Sequence, residues 1–219
     1  MENVFSGKRA VLFDLDGVVV DSESQYTQFW QGLCGEYFPQ DPEIGQRIKG
    51  MTLDQIFSTY FPDKSIQESI NKRVSDFEAT MNYEYIQGFP SFISELHLLH
   101  FRTAVVTSSN LDKMDKLYRK HPEFRGLFDR ILTSEDFTRS KPAPDCYLQA
   151  AESLAVAPAD CVGIEDSFNG LKSLRAARIT TIAFATTNPA SAVAPYADLV
   201  ASNYDELLPQ LRQCEPAAE

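Results

Sequence analysis

Short apolar runs recur along this chain at intervals that a helix would fill, and that rhythm restricts the possible folds more than any other feature. The runs cover residues 10–13, 103–106, 130–132, 161–164 and 180–184, with a brief sixth at 199–200. They are continuous rather than alternating, as expected of strands buried on both faces. Helical patterns at 90–100, 111–120, 144–154 and 167–177 lie between them. This alternation predicts an α/β fold, a Rossmann-like parallel sheet with helices on both faces. A functional site is then expected at the carboxyl ends of the strands.

One region departs from the rhythm. From about Ser22 to Gln87 no strand is predicted, only helical stretches at 23–38, 53–60 and 65–81, separated by breakers at Pro39, Pro42, Gly50 and Pro62. The segment begins just after the first strand, beside the expected site. The reading is an α-helical cap domain, residues 22–87, inserted into a catalytic core of residues 1–21 and 88–219. Phe29, Trp30, Tyr37 and Phe38, at roughly helical spacing, are expected to form the cap's own core.

With 43% apolar residues the chain has ample material for a buried core. Its formal charge of −11 argues against nucleic acid and anionic membranes as partners, because both need a basic surface. A small phosphorylated substrate is not excluded, since local cations can outweigh the global field. Cys34, Cys146, Cys161 and Cys214 lie far apart with no CxxC pair, which favours reduced thiols over disulfides or zinc. No apolar leader or membrane-length stretch is present, so a cytoplasmic location is expected. The oligomeric state is left open by the residues, with a monomer favoured.

Four strand ends carry chemistry. Asp14 and Asp16 follow the first strand at i, i+2, which puts both carboxylates on one face, about 6.5–7 Å apart if extended. Carboxylates so placed can divide labour, one as nucleophile and the other moving a proton. Gly17 lets the backbone turn sharply behind them. After the second strand comes Thr107-Ser108-Ser109-Asn110. The Thr107 hydroxyl, the Ser108 amide and a helix N-terminus could bind a phosphate oxygen, although Ser and Asn before a helix more often serve as plain caps. Lys141, within Ser-Lys-Pro-Ala-Pro, would present a point charge at a loop end. Glu165 and Asp166 end the fourth strand. If these four acids converge, each pair about 5 Å apart repels by roughly 3 kcal/mol at an effective dielectric near 20. One lysine cannot offset that, and a hard divalent cation such as Mg2+ is implied.

Taken together, Asp14-Leu15-Asp16-Gly17-Val18, Thr107, Lys141 and Gly163-Ile164-Glu165-Asp166-Ser167 resemble the four motifs of the haloacid dehalogenase superfamily. Within it, the chain is most similar to β-phosphoglucomutase-like phosphatases with a helical cap, and Asp21-Ser22-Glu23 matches the start of that cap. The resemblance implies a core sheet of order 5-4-1-2-3, Mg2+ and an aspartyl-phosphate intermediate. It makes Asp14 the nucleophile and a metal ligand, and Asp16 the acid/base whose main-chain carbonyl also binds metal. Thr107, Ser108 and Lys141 would hold the phosphoryl group. Asp166 would complete the metal site, with Glu165 bound directly or one shell out. Lys49 and Gly50 of the cap loop, with Asn110, are candidate substrate contacts.

Departures from the family pattern narrow the reaction. Leu53 stands where a mutase is expected to carry an arginine, and Tyr26 where it is expected to carry a histidine. A mutase must grip a bisphosphate, so the missing arginine favours net hydrolysis of a small phosphorylated metabolite such as a sugar phosphate. The alternative is a β-phosphoglucomutase interconverting β-glucose 1-phosphate and glucose 6-phosphate. Asp16 argues against dehalogenation and phosphonate cleavage, whose enzymes lack this second acid. A phospho-accepting signalling module is a remote alternative, because such modules lack both the Asp-x-Asp pair on the first strand and a cap. His97 and His100 read as ordinary helix-end residues. Gln87 and Arg178 replace residues more usual at the cap exit and at a helix end.

Overall fold

Six strands form one parallel sheet in the order β3-β2-β1-β4-β5-β6 in a computed structural model that describes residues 3–49 and 51–215. They are β1 (Ala10–Phe13), β2 (Arg102–Val106), β3 (Arg130–Leu132), β4 (Cys161–Glu165), β5 (Thr180–Phe184) and β6 (Leu199–Ala201). The expected 5-4-1-2-3 order is present, and the brief sixth run extends it beyond β5. Alternate residues of each strand pack on opposite faces. Val11, Phe13 and Val105 join one core cluster, while Ala10, Leu12, Ala104 and Val106 join another. This two-sided burial is why the strands read as continuous apolar runs.

The helices are α1 (Glu23–Tyr37), α2 (Ile44–Arg47), α3 (Leu53–Tyr60), α4 (Lys64–Thr80), α5 (Phe89–Leu98), α6 (Leu111–Lys120), α7 (Asp145–Ser153), α8 (Phe168–Ala176), α9 (Ala190–Val193) and α10 (Tyr204–Leu211). The short α2 and α9, and α10 with its internal Pro209, were not anticipated from the pattern. Arg178 adopts φ of 58° just after α8, the left-handed conformation that glycine usually supplies at a helix end.

Helices α1 to α4 carry their own hydrophobic cluster, built on Trp30, Leu33, Ile56, Phe57 and Ile70, with Phe29, Tyr37 and Phe38 packed against it. The chain enters and leaves this insert side by side. Val20 bridges Tyr85 in antiparallel fashion, Asp21 N–H donates to the Glu84 carbonyl, and Ile86 N–H donates to that of Val19. The segment read as strand-free contains no strand among the described residues, and its two ends are joined by this isolated bridge, whose partners are too far apart in sequence to show a local signal.

Register brings the chemistry together. Phe13 pairs with Val105 on one side and Ile164 on the other, so the residues after β1, β2 and β4 emerge at one edge. His97, by contrast, lies at the end of α5 with its ring nitrogen 3.0 Å from the Leu127 carbonyl, a structural contact.

Candidate active site

At that edge a cavity of about 360 Å³ lies between the sheet and the insert. Asp14, Asp16, Thr107, Ser108, Asn110, Lys141 and Asp166 line it from the core, and Lys49 from the insert. Gly50 lies outside the described residues. Glu165 is fully buried behind the wall.

Lys141 forms the centre of the floor. Its ammonium donates to Asp14 Oδ1 at 2.5 Å, to Glu165 Oε1 at 2.6 Å and to the Val106 carbonyl at 3.0 Å, and its side chain is 1% exposed. Burial works against its charge, but Asp14 and Glu165 hold it protonated. Burial, opposed by Lys141 and reinforced by Glu165 and Asp16, pushes the Asp14 carboxyl up to about 8. Asp166 is likewise raised well above the usual carboxylate range, by burial and then by Glu23, Glu165 and Asp14. The directions agree, since clustered carboxylates share one ammonium and still lack positive charge.

One oxygen each from Asp14, Glu165 and Asp166 lies within 4.8 Å of the others. All donors in this group are carboxylate oxygens, which suits a hard cation such as Mg2+. Gly17 has φ of +74°, and a methyl group there would overlap the Asp166 carboxylate and the Glu23 side chain. A bare backbone is thus needed for this approach. Glu165 has its oxygens occupied. Besides Lys141 it accepts from Tyr147 Oη at 2.9 Å, the Asp166 and Ser167 amides, and Ser167 Oγ. Asp166 accepts one hydroxyl bond, from Thr187, so it faces the cavity with more capacity to spare.

The Asp16 carboxylate stands apart from the acidic group. It accepts from Lys113 Nζ at 2.5 Å, from Ser109 Oγ at 3.0 Å and from Ser22 Oγ. Burial alone would raise its pKa, but Lys113 and these hydrogen bonds hold it below the usual carboxylate range. Its side chain is therefore not part of the acidic group, and any metal role falls to its main-chain carbonyl. Ser22 precedes α1 yet makes no side-chain cap, because its hydroxyl is turned to Asp16.

The hydroxyl-rich run after β2 splits into distinct roles. Thr107 Oγ1 accepts from the Ser109 amide at 3.0 Å, leaving its proton to donate. Ser108 Oγ is buried with no hydrogen-bond partner among the described residues, an orphan donor on the cavity wall. Asn110 behaves as the plain cap, its Oδ1 accepting from the Lys113 amide at 3.0 Å. Lys49 lies 3.8 Å from Glu23, whose carboxyl is raised to about 7 by burial and then by Asp16.

Sequence reading did not find Lys113, Tyr147 or Thr187. A signal existed for Lys113, which shares a buried helix face with Met114 and Leu117. A lysine on an apolar face implies a buried partner.

The profile of haloacid dehalogenase-like hydrolases matches residues 11–184. A β-phosphoglucomutase from Bacillus subtilis is 25% identical over 83% of this chain and 85% of its own length. A phosphorylated carbohydrates phosphatase from Thermotoga maritima is 26% identical over 79% and 83%. A CbbY variant from Rhodobacter sphaeroides, crystallised with xylulose 1,5-bisphosphate, shares the fold with a TM-score of 0.76 at 22% identity, over 93% of this chain and 99% of that one. With a family profile spanning the segments that carry Asp14, Thr107, Lys141 and Asp166, this chain belongs to the haloacid dehalogenase-like hydrolase family.

Proposed function

We propose that the protein is a Mg2+-dependent phosphatase hydrolysing a small phosphorylated metabolite, in the first instance a sugar phosphate, through an aspartyl-phosphate intermediate. Residues 1–21 and 88–219 then act as the catalytic core and 22–87 as a cap over the site. Asp14 attacks phosphorus as the carboxylate, and the bond from phosphorus to the alcohol oxygen breaks as Asp16 gives that oxygen the proton it took from water in the preceding hydrolysis, returning to the ionised form that Lys113 favours. Water then attacks the aspartyl phosphate, Asp16 takes its proton, and phosphate leaves a regenerated Asp14. Lys141 stands beside the nucleophile to meet the phosphoryl oxygens, with Thr107 and Ser108 lining the same cavity. Asp14, Asp166 and the Asp16 carbonyl would hold Mg2+, which when bound offsets repulsion between carboxylate and phosphate.

The observation that carries hydrolysis over mutase chemistry is the makeup of the cavity wall. Phosphate-handling groups crowd the core side. The insert side presents Ile48, Met51 and Leu53, and its one cation among the described residues, Lys49, is paired with Glu23. A bisphosphate intermediate needs a second cationic grip, and no arginine lines the cavity among the described residues.

The test is a screen of phosphorylated metabolites with Mg2+, measuring phosphate release, with β-glucose 1-phosphate assayed in parallel for glucose 6-phosphate. Conversion faster than release would turn the reading to the mutase. A stable stoichiometric phosphoprotein without turnover would favour a signalling module. Retained turnover in Asp14→Asn would end the proposed mechanism.

A further inference from the structure

Lys113 is a buried ammonium with little to bind. It is 3% exposed, and its hydrogen-bonded side-chain partner is Asp16 Oδ2 at 2.5 Å. The ring of Tyr26 also lies against it, with the nitrogen 4.4 Å from the centroid. Tyr26 belongs to α1 of the insert, and its hydroxyl donates to Glu78 of α4 at 2.8 Å.

Stability is a weak explanation for this lysine. Buried ion pairs roughly break even against well-packed apolar side chains, and Met114 and Leu117 show that this face takes such residues. Lys113 also borders the cavity, but its ammonium is turned to Asp16, whereas Lys141 stands beside Asp14, where a phosphate would be attacked. Orientation of Asp16 is the remaining use. Ser22 and Ser109 also reach this carboxylate, but a hydroxyl can rotate and either donate or accept. An ammonium only donates, so it holds the carboxylate oxygen it touches in one place. The Tyr26 ring face favours the ammonium where it stands.

We infer that Lys113 is a positioning residue for proton transfer, fixing the Asp16 carboxylate from the core side, with Tyr26 completing the arrangement when the insert lies over the core. The inference rests on Asp16 as the proton-transfer group. Tyr26, where a family mutase is expected to carry histidine, thereby gains a defined role, covering the lysine that holds the acid.

The test uses the full chain with Mg2+ and two substrates, glycerol 2-phosphate and p-nitrophenyl phosphate. The first needs a proton on its leaving oxygen, whereas nitrophenolate departs without one. In Lys113→Met, kcat on glycerol 2-phosphate is expected to fall about 100-fold, with KM changed by less than about threefold. On p-nitrophenyl phosphate the same variant should give a burst of one nitrophenolate per site followed by slow turnover, because only the second step still needs Asp16. Lys113→Arg should recover activity to within about tenfold of the parent.

A raised KM with unchanged kcat would instead make Lys113 a substrate-binding residue and overturn the inference. So would equal losses in burst and steady-state rates in a variant with native circular dichroism. If Lys113→Met fails to fold, Tyr26 decides. Tyr26→Leu should show the same pattern in weaker form and Tyr26→Phe should not, and equal behaviour of the two overturns the inference. Parental turnover in Asp16→Asn would sink the reading of the site itself, whatever Lys113 does.

Discussion

The Lys141 ammonium stands 2.6 Å from the Glu165 carboxylate, and this pairing separates the roles of two adjacent acids. Glu165 is committed to Lys141, Tyr147 and the start of α8, whereas Asp166 faces the cavity. Glu165→Gln should therefore act mainly through a misplaced Lys141, lowering activity about 10–100-fold. Asp166→Asn should raise the Mg2+ concentration needed for half-maximal activity by more than Glu165→Gln does. Activity titrated against Mg2+ in both variants checks the order.

Stability of the metal-free protein should depend on pH through Asp14. Burial, opposed by Lys141 and joined by the nearby Glu165 and Asp16, raises its carboxyl from 3.8 to about 8. The folded state then binds a proton that the unfolded chain has released, so stability is fullest below about pH 4 for this group and is lost as pH rises through about 8. In EDTA, urea midpoints should decline between about pH 5 and 8, by at most roughly 1.4 kcal/mol per pH unit from this one group. Saturating Mg2+ should flatten the decline, since the cation replaces the proton. Urea melts at matched ionic strength with and without metal provide the measurement.

Gly170 offers a test with an unusual sign. Replacing a helix-interior glycine by alanine normally stabilises by about 0.5–1 kcal/mol. Here the added methyl would overlap the Glu165 carboxylate, which lies against the first turn of α8. Gly170→Ala is expected to destabilise by about 1–3 kcal/mol and to lower activity with it, because Glu165 must shift and take Lys141 along. Denaturation and phosphate-release assays on one preparation test both parts.

Lys116 ties the insert to the core. From α6 it donates to Ser75 at 2.9 Å and Glu78 at 3.0 Å, both on α4, and to Asp112 at 2.5 Å. Lys116→Met leaves the buried Glu78 with Tyr26 as its side-chain donor. A loss of about 1–3 kcal/mol in stability is expected, together with a higher KM as the insert loosens over the site. Thermal melting and steady-state kinetics report the two effects separately.

Much of this molecule could be read from local pattern. The strands ending before Asp14, Thr107 and Asp166 are continuous apolar runs because both their faces are covered, and burial of that kind shows in the residues themselves. Since parallel strands share a direction, motifs at their carboxyl ends had to meet, and Asp14, Lys141 and Asp166 do. What local pattern could not reach was the pairing of side chains between distant segments. Lys113 meets Asp16 across 97 residues, and the Val20–Tyr85 bridge joins the two ends of the insert. Glu165 and Asp166 are neighbours with the same chemistry, and only packing against Tyr147 and α8 distinguishes them. Local pattern was enough for the sheet, the strand ends and the kinds of groups brought to them, because periodicity and burial are local properties. Which lysine holds which acid was decided only in the tertiary structure, where direction and distance are set by how helices and insert pack on the sheet.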